Sequence, residues 1–441
     1  MITTGILTEL KSFFPETQIL EEGIEANAFG NGGSLTVFPN TEEEIASVLK
    51  YANETNKTIN VIGSGTKRGF GGTAEGADIL ISMANFKGIV EHVPGDMTLT
   101  VKPGSSFKEL QDYLQEFNQR IALDPFLPGH ATIGGIVAAN ESGPKRLGYG
   151  SARDAVIGLR IVYPDGKVIR SGGKVVKNVA GYDMNKLYIG AMGTLGVISE
   201  ISLKLRPITK DESLLLIKFT EDSLEKAKAF AVQLLDTVVE PVALELMNPS
   251  LSEKLLKERV FTLAIGFEDV ESSVKYQEEF VRKIQPPGTK LVILQQQAAR
   301  SFWNDFYENV PNGSVPIESN GIEAALKIGT VNLDVIEVLK ECESIQDSHN
   351  LLIEGHGGLG HGLSQVVLRG AESDVLSAIS LIREKAALQS GYVVVKHLPL
   401  ALRKKVDVWG EKPAYQFLLE GIKAKVDPNR VLNPGRFVGG I

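Results

Sequence analysis

The chain has 441 residues, 43% of them hydrophobic and 23% charged, a composition that allows about two or three domains and excludes a disordered chain. Its formal net charge is −8 and no long block of like charges interrupts it, which argues against nucleic-acid binding. The single cysteine, Cys342, excludes an intramolecular disulfide, a site built from several thiolates and a cysteine-ligated iron–sulfur cluster within this chain.

The first part of the sequence predicts two helices and a strand that leads into a glycine-rich turn. Apolar residues at helical spacing indicate a short helix over residues 6–14. Thr41 and Glu44 form a capping-box pattern that predicts a helix over residues 41–53, and residues 57–62 read as a strand. Because no leader-like pattern and no long apolar segment occur, we expect a cytoplasmic protein with at most peripheral membrane contact.

Further along the chain, strands and helices are mixed without a strict alternation. Short strands are predicted within residues 79–101, and a helix is predicted over residues 106–117. After Pro207 glycine loops become rare, and strand–helix units suggest a second α+β domain with ferredoxin-like repetition. The predicted strands are residues 214–219, 260–267, 291–294, 351–354, 364–368 and 392–395, and the predicted helices are residues 224–235, 270–284 and 375–388.

The chain contains 45 glycines, and three clusters of them lie in its first 200 residues, at 63–72, 128–135 and 190–196. Glycine lets backbone N–H groups approach a ligand closely, so the clusters predict a nucleotide cofactor held by its pyrophosphate. Arg68 stands where the dinucleotide fingerprint requires a third glycine, and the Walker pattern around Lys67 is also absent. The alternative is that each cluster is only a turn between strands.

Several long motifs occur in an order that resembles one flavoprotein family. GSGTKRGFGG, PGHATIGGIVAAN, KNVAGYDMNKLYIGAMGTLGVISEISLKLRP and the terminal VDPNRVLNPGRF are similar to the FAD-binding domain of the vanillyl-alcohol oxidase / p-cresol methylhydroxylase (PCMH) family. Within it the sequence most resembles the FAD-binding subunits of glycolate oxidase, a group that includes glycolate and D-lactate dehydrogenases. The resemblance implies an α+β protein with an N-terminal helical segment (1–33), a PCMH-type FAD-binding domain (34–208), an α+β, ferredoxin-like substrate or cap domain (209–420) and a C-terminal segment (421–441) that returns to the FAD domain.

The same resemblance implies which residues bind FAD. The first loop would surround the pyrophosphate, the second would offer backbone groups near the pyrophosphate and flavin, the third would lie beside the cofactor, and the C-terminus would contribute an asparagine. These residues are Gly63, Ser64, Gly65, Thr66, Lys67, Gly71, Gly72, Thr132, Ile133, Gly134, Gly135, Gly193, Thr194, Gly196, Val197, Ile198 and Asn433. Some relatives attach FAD through a histidine in the first loop; Thr66 and Lys67 stand there, so we expect noncovalent FAD, with His130 a less favoured attachment point.

The resemblance also bears on catalysis, because relatives that oxidise D-2-hydroxy acids carry two histidines and a glutamate that can bind a metal. His356 matches the first of these positions, Leu363 stands at the second and Lys396 at the acidic third, so we expect no metal. One interpretation makes His356 the catalytic base and Lys396 the anchor of a substrate carboxylate. The other makes His356 and His361 ordinary turn residues and Lys396 a surface lysine.

Three functions remain open from the sequence. The segment AMGTLG, which includes Met192, is typical of the companion subunit of the glycolate oxidase complex. This favours an FAD-binding oxidoreductase subunit that acts on a small 2-hydroxy acid such as glycolate, with a sister flavoprotein and an iron–sulfur subunit as partners. The alternatives are a self-sufficient FAD-linked dehydrogenase or oxidase of a 2-hydroxy acid (D-lactate-like) or a small alcohol, and a flavin-binding subunit with only a structural role in assembly.

Overall fold

The computed structural model describes residues 2–21, 28–173, 182–315 and 321–441. Residues 177–181, which begin the motif KNVAGYDMN, lie outside the described residues. Helices and strands are interspersed along the chain, so the expected α+β class is confirmed. We propose a domain boundary between Pro207 and Asp211, where one long strand ends and the next begins.

The first half of the described chain contains two sheets. In one, the strand order is β1-β2-β4-β3, with β2, β3 and β4 parallel; in the other, the order is β5-β6-β10-β8-β9, with β7 also paired to β10 and all neighbours antiparallel. The strands are β1 Ile19–Leu20, β2 Gly32–Val37, β3 Ile59–Ile62, β4 Gly76–Ser82, β5 Ile89–Val93, β6 Thr98–Val101, β7 Gln119–Ile121, β8 Val156–Val162, β9 Val168–Gly172 and β10 Val197–Pro207.

The helices of this half cover the two sheets. They are α1 Ile2–Leu10, α2 Glu42–Thr55, α3 Phe107–Gln115, α4 Ile133–Ala139, α5 Arg146–Tyr149, α6 Ala152–Ala155 and α7 Asn185–Tyr188. The capping box predicted for α2 is present, because the Thr41 hydroxyl accepts from the Glu44 N–H and the Glu44 carboxylate accepts from the Thr41 N–H. The first helix was wrongly predicted to reach residue 14: it ends at Leu10, ahead of Pro15, which disfavours helical backbone at the residue before it.

The second half of the described chain forms one antiparallel sheet with the order β14-β11-β13-β12-β16-β17-β15-β18. Its strands are β11 Asp211–Phe219, β12 Ala243–Met247, β13 Phe261–Asp269, β14 Lys290–Gln295, β15 Ile322–Gly329, β16 Leu351–Gly358, β17 Leu363–Gly370 and β18 Tyr392–His397. Its helices are α8 Leu224–Leu235, α9 Pro249–Leu256, α10 Glu271–Ile284, α11 Gln297–Tyr307, α12 Val335–Ser348, α13 Glu372–Leu388 and α14 Leu400–Arg403.

The large sheet is buried on both faces, and the alternation of side chains along its strands determines what each face contacts. On β11, Leu215 and Ile217 pack in a cluster with α8 and α12, whereas Leu214 and Leu216 pack with α11 and with Phe126 from the first half. One face of the sheet is therefore covered by its own helices, and the opposite face looks toward the first half of the chain.

The C-terminal segment returns to the first half of the chain, which confirms that part of the predicted fold. After α15, Gln416–Val426, the backbone of residues 431–433 runs beside β3: the Ile59 N–H donates to the Val431 carbonyl, and the Asn433 N–H donates to the Ile59 carbonyl. Lys423 anchors this segment from a fully buried position by donating to Asp427 at 2.7 Å and to the Thr194 carbonyl at 2.8 Å.

Candidate active site

A cleft of about 840 Å³ runs along the carboxyl end of β3 and collects most of the predicted cofactor residues. The three glycine clusters and the C-terminal asparagine reach it from separate parts of the chain. The predicted residues that line it are Gly63, Ser64, Gly65, Thr66, Lys67, Thr132, Gly134, Gly135, Gly193, Gly196, Val197, Ile198 and Asn433. Sequence motifs more than 300 residues apart therefore meet at one surface.

Four predicted cofactor residues do not line this cleft. Ile133 is fully buried in the hydrophobic core, and the Thr194 hydroxyl donates to the Ala191 carbonyl at 2.8 Å. Gly71 and Gly72 have positive φ angles, and a Cβ there would lie 2.2 Å from the Arg436 carbonyl oxygen and 2.4 Å from Asn31 Oδ1. These two glycines allow the first loop to close against its neighbours, and Arg436 and Asn31 are cleft residues that the sequence analysis missed.

The first glycine loop presents its backbone to the cleft. Gly65 has a φ of +85°, which only glycine adopts readily, and a Cβ on Gly63 would lie 2.2 Å from Thr132 Oγ1. Among the described residues, no acceptor bonds the backbone N–H groups of residues 64–67. A run of free N–H groups after a parallel strand is a cradle for a phosphate group.

In the second loop, two backbone N–H groups already have acceptors within the chain. We expected residues 132–135 to offer backbone groups to the cofactor, but the Gly134 N–H donates to the Pro103 carbonyl at 2.8 Å and the Gly135 N–H donates to Thr132 Oγ1 at 3.3 Å. Position 134 has no room for a larger residue, because a Cβ there would lie 2.5 Å from the Pro103 Cβ. The second loop thus supplies a wall of the cleft, and its donors are already used.

Asn433 joins three parts of the cleft. Its Nδ2 donates to the Gly193 carbonyl at 2.8 Å, and its Oδ1 accepts from the Val61 N–H at 3.1 Å. The residue has a φ of +44°, a conformation that asparagine tolerates better than most residues. The C-terminal asparagine therefore holds the first and third loops together while it also lines the cleft.

A second cavity of about 1,120 Å³ adjoins the cleft, and Ala139 and Met192 line both. Its remaining lining comes from both halves of the chain, including Phe126 and Glu141 from the first half and the strands of the large sheet from the second. Met192, which has a φ of +54°, stands at the junction of the two spaces. A ligand in this cavity would lie next to a cofactor in the cleft.

The second cavity contains a carboxylate between two histidines. Glu245 on β12 is 1% exposed, and its Oε2 accepts from His356 Nδ1 at 2.8 Å while its Oε1 lies 3.3 Å from His361 Nε2. Burial raises the pKa of Glu245, but the hydrogen bond from His356 and the nearby His361 outweigh it, so the pKa is lowered overall. His356 Nε2 is buried and has no partner among the described residues, so its lone pair is free for a ligand.

His356 lies within a strand, which corrects the interpretation of it as a turn residue. The strand predicted over residues 351–354 continues to Gly358, and only His361 lies in the turn that follows. The rings of Phe126 and Phe306 pack against the His356 ring at centroid distances of 5.8 and 4.6 Å. Glu245 was missed by the sequence analysis because its contact with His356 spans 111 residues and no local motif marks it.

Strand register places a cation in line with His356. On neighbouring strands Lys327 is paired with Gln365, and Gln365 with His356, so the three form a row across β15, β17 and β16. Adjacent strands are about 4.8 Å apart, so the ends of the row lie roughly 10 Å apart at the backbone. All three residues line the second cavity.

The predicted carboxylate anchor, Lys396, is already paired. Its Nζ donates to Glu141 Oε1 at 2.6 Å, and Lys67 lies 3.6 Å from the other oxygen of Glu141. Burial raises the pKa of Glu141, but the charges of Lys396 and Lys67 outweigh it and lower the value to about 2. Glu141 therefore remains a carboxylate at every ordinary pH and neutralises part of the positive charge of Lys67 and Lys396.

Among the described residues that line the cavity, Lys327 is the lysine whose ammonium group is not already paired with a carboxylate. No hydrogen bond or ion pair is formed by its amine among the described residues. Burial and the charge of Lys396 lower the pKa of Lys327 to about 8. An unpaired ammonium opposite an unpaired imidazole nitrogen suits a ligand with a carboxylate at one end and a proton to lose at the other.

The described residues offer the cavity no metal site, because no group of three or more histidine, cysteine or acidic side chains there has the arrangement to hold an ion. The described residues that line the cofactor cleft include no histidine or cysteine. His130 is more than half exposed and its nearest charged neighbour is Glu308 at 4.0 Å, outside the cleft. No described helix is both long and apolar enough to cross a membrane.

Comparisons with known proteins agree with this geometry. Residues 34–172 match the family model described as "FAD binding domain". The chain is 27% identical to the mitochondrial D-lactate dehydrogenase [cytochrome] of Arabidopsis thaliana over 421 residues, covering 92% of this chain and 73% of that protein. It is 27% identical to glycolate oxidase subunit GlcD of Bacillus subtilis, covering 91% and 88% of the two chains. It is also 38% identical to subunit GlcE of Escherichia coli, but over 165 residues, 36% of this chain and 47% of that protein.

Solved structures show the same fold at low sequence identity. The chain resembles p-cresol methylhydroxylase with a TM-score of 0.77 at 16% identity, covering 98% of this chain and 96% of that one. A 4-ethylphenol oxidase from Gulosibacter chungangensis gives a TM-score of 0.78 at 15% identity with the same coverage. The cleft fits the cofactor of this fold, since free N–H groups and a glycine cradle meet in it. The chain therefore contains an FAD-binding domain over residues 34–172, shares the fold of p-cresol methylhydroxylase and is an FAD-dependent oxidoreductase.

Proposed function

We propose that this protein oxidises the CH–OH group of a small 2-hydroxy acid, with noncovalent FAD in the cleft as the acceptor. The observation that carries the proposal is the cavity beside the cleft, in which the free Nε2 of His356 and the free amine of Lys327 stand in one row. The D-lactate dehydrogenase and glycolate oxidase names of its relatives support a substrate of this class.

FAD, when bound, supplies a hydride acceptor. The residues of this chain have the other tasks. Lys327 binds the substrate carboxylate. His356 Nε2 takes the proton of the substrate hydroxyl while a hydride leaves the carbon that bears this hydroxyl. Glu245 accepts the hydrogen bond of His356 Nδ1, which leaves the proton-free nitrogen facing the cavity and stabilises the imidazolium once it forms. Phe126 and Phe306 exclude water from one side of the imidazole ring.

Charged side chains of this chain bind the substrate in this proposal. A carboxylate substrate brings one negative charge to a cavity in which Glu141 is already shared by Lys67 and Lys396. Lys327 is then the residue that gains a partner, while Lys396 orients Gln365 by donating to its Oε1 at 3.3 Å. We therefore move the anchoring role from Lys396 to Lys327.

A place in a multi-subunit complex is the second part of the proposal. The match to subunit GlcE over 165 residues supports a glycolate-oxidising assembly with a sister flavoprotein. In such an assembly an iron–sulfur subunit would accept the electrons. This chain cannot hold a cysteine-ligated cluster itself, because its single cysteine, Cys342, is fully buried. The cavity contains a candidate base, His356, and a candidate carboxylate anchor, Lys327. This favours a catalytic role for this chain over a purely structural one.

The decisive experiment uses the protein expressed alone. We expect a bound flavin whose absorbance near ~450 nm is lost when glycolate or D-lactate is added without air. L-lactate serves as the control for stereochemistry, and p-cresol as the control for a phenolic substrate. A bound flavin that stays oxidised with every 2-hydroxy acid, alone and in the presence of the sister subunits, would refute the proposal.

A further inference from the structure

The cofactor cleft has an unbalanced charge. Its charged lining residues are Lys67, Arg68 and Arg436, and no acidic residue is among the described lining residues. Lys67 is compensated by Glu141, which lies toward the second cavity. Arg68 and Arg436 thus line the cleft, and neither forms an ion pair with a carboxylate among the described residues.

Arg68 is the sharper case, because its side chain is buried and unpaired. The residue is 5% exposed, and its Nε and Nη2 have no hydrogen-bond partner among the described residues. Its backbone, by contrast, is fixed: the Arg68 carbonyl accepts from Asn31 Nδ2 at 2.8 Å and from Arg403 Nη1 at 3.0 Å. A buried guanidinium that has no partner within the described part of the chain, on a backbone that is itself fixed, suits a bound anion.

The neighbouring cations add to the imbalance. Within the described residues, the Arg436 side chain donates to backbone carbonyls alone, at 3.3 to 3.5 Å. Arg403 donates to the carbonyls of Phe29, Arg68 and Gly71. Burial lowers the pKa of Arg68, and burial with the charge of Arg68 lowers that of Arg436 to about 10. In each case the lowered pKa means that the surroundings do not stabilise the positive charge of the side chain.

We propose that the Arg68 guanidinium binds the diphosphate of FAD, completing the cradle formed by the free N–H groups of residues 64–67. A diphosphate carries two negative charges, and a planar guanidinium offers paired N–H donors that match phosphate oxygens. Arg68 follows the free N–H groups directly in sequence and lines the same cleft. The inference rests on FAD binding and is independent of the substrate that the enzyme oxidises.

The test is the replacement of Arg68 by methionine, which keeps the length and removes the charge. Because a hydrogen bond to a charged group is lost, the dissociation constant for FAD should rise by ~10- to 100-fold, measured by titrating apoprotein with FAD. The melting temperature of the apoprotein should rise at the same time, since an unpaired buried charge has been removed. R68K should restore part of the affinity but less than arginine, because an ammonium cannot form the paired contact.

Arg170→Met is the matched control, because it removes a guanidinium from an exposed position of the same half of the chain. It should leave both the FAD affinity and the apoprotein melting temperature unchanged. An R68M protein with wild-type affinity for FAD would overturn the proposal, and so would one whose apoprotein melts earlier, since Arg68 would then be a structural residue. The titration contains no hydroxy acid, so a failure of the proposed oxidation would not alter either result.

Discussion

The cofactor cleft and the cavity beside it are built in opposite ways. The cleft is made largely of backbone, and each of its glycine clusters is a continuous stretch of sequence. The cavity is made of side chains from separate strands of the large sheet: Glu245, Lys327, His356, Gln365 and Lys396 come from five of them. The cleft therefore binds through main-chain donors, whereas the cavity acts through ionisable groups.

The two regions also differ in how their charges are satisfied. In the cavity, Glu141 and Glu245 each stand between two potential cations. In the cleft, the Arg68 guanidinium has no partner among the described residues. The cleft is thus prepared for an anion with two charges, and the cavity for one with a single charge. Substitutions in the two regions should accordingly separate flavin binding from flavin reduction.

The largest effect is expected from His356→Ala. Loss of the general base should slow anaerobic flavin reduction by a 2-hydroxy acid by ~10²- to 10⁴-fold, while FAD content stays at the wild-type level. Stopped-flow absorbance measures the rate, and the protein's visible spectrum measures the content. The exposed His130 provides the control, since H130A should change neither. Unchanged reduction by H356A would remove the base assignment.

Gly65→Val should have the converse effect. A β-branched residue at a φ of +85° is strained, and its Cβ would lie 3.3 Å from Ile62 Cδ1, so the loop must distort. FAD affinity should fall by ~10- to 100-fold, measured by equilibrium titration. In molecules that still hold FAD, the reduction rate should be near normal. Gly95→Ala is the control, because its Cβ would meet nothing within 4 Å; wild-type FAD affinity in G65V would contradict the loop assignment.

The contrast between the two regions explains what the sequence could predict. Glycine clusters report backbone conformation directly, so the cleft could be located from residues 63–67 and Asn433 without a structure. Even there, donors cannot be read from glycine alone: Gly134 and Gly135 use their N–H groups internally, and Arg68 seemed only a departure from a motif.

The cavity could be predicted only in part, because strand register determines it. His356 was identified from a family pattern, but Glu245 and Lys327 reach it through pairings between strands far apart in sequence. Several elements of the second half, among them the strands β12 and β15 and the helices α11 and α12, were also not predicted. Without β15 there is no row from Lys327 to His356, so the anchoring role fell to Lys396, the nearest basic residue in the family pattern.

Glu245→Gln tests whether the base is positioned by a charge. The amide keeps an acceptor for His356 Nδ1 but cannot stabilise an imidazolium, so we expect flavin reduction to slow by ~10- to 100-fold. The acid limb of the kcat/KM profile should move to lower pH, because a weaker base loses its proton more readily; a merely structural role would leave the limb in place.

The matched control for Glu245 is Glu354→Gln on β16. Glu354 is also buried, but it pairs with Lys254 and Arg369 and does not line the cavity. E354Q should leave the pH profile unchanged even where stability falls. If E245Q and E354Q behave alike, Glu245 has no role beyond packing.

The smallest effect should come from Lys327, and it should depend on pH. The charges facing its amine are Lys396 on β18, Arg146 from the first half and Glu141, and together with burial they give a pKa of about 8, below the usual lysine value of 10.5. The amine therefore loses its charge as pH rises through about 8, and the KM for a 2-hydroxy acid should rise by ~10-fold per pH unit above that point while kcat changes little. Lys327→Arg keeps the charge and should flatten this rise, whereas Lys327→Gln should give a high KM at every pH. A wild-type KM that is constant from pH 7 to 10 would show that the substrate carboxylate is bound elsewhere. Lys327 would then no longer count among the charged groups that distinguish the cavity from the backbone-lined cleft.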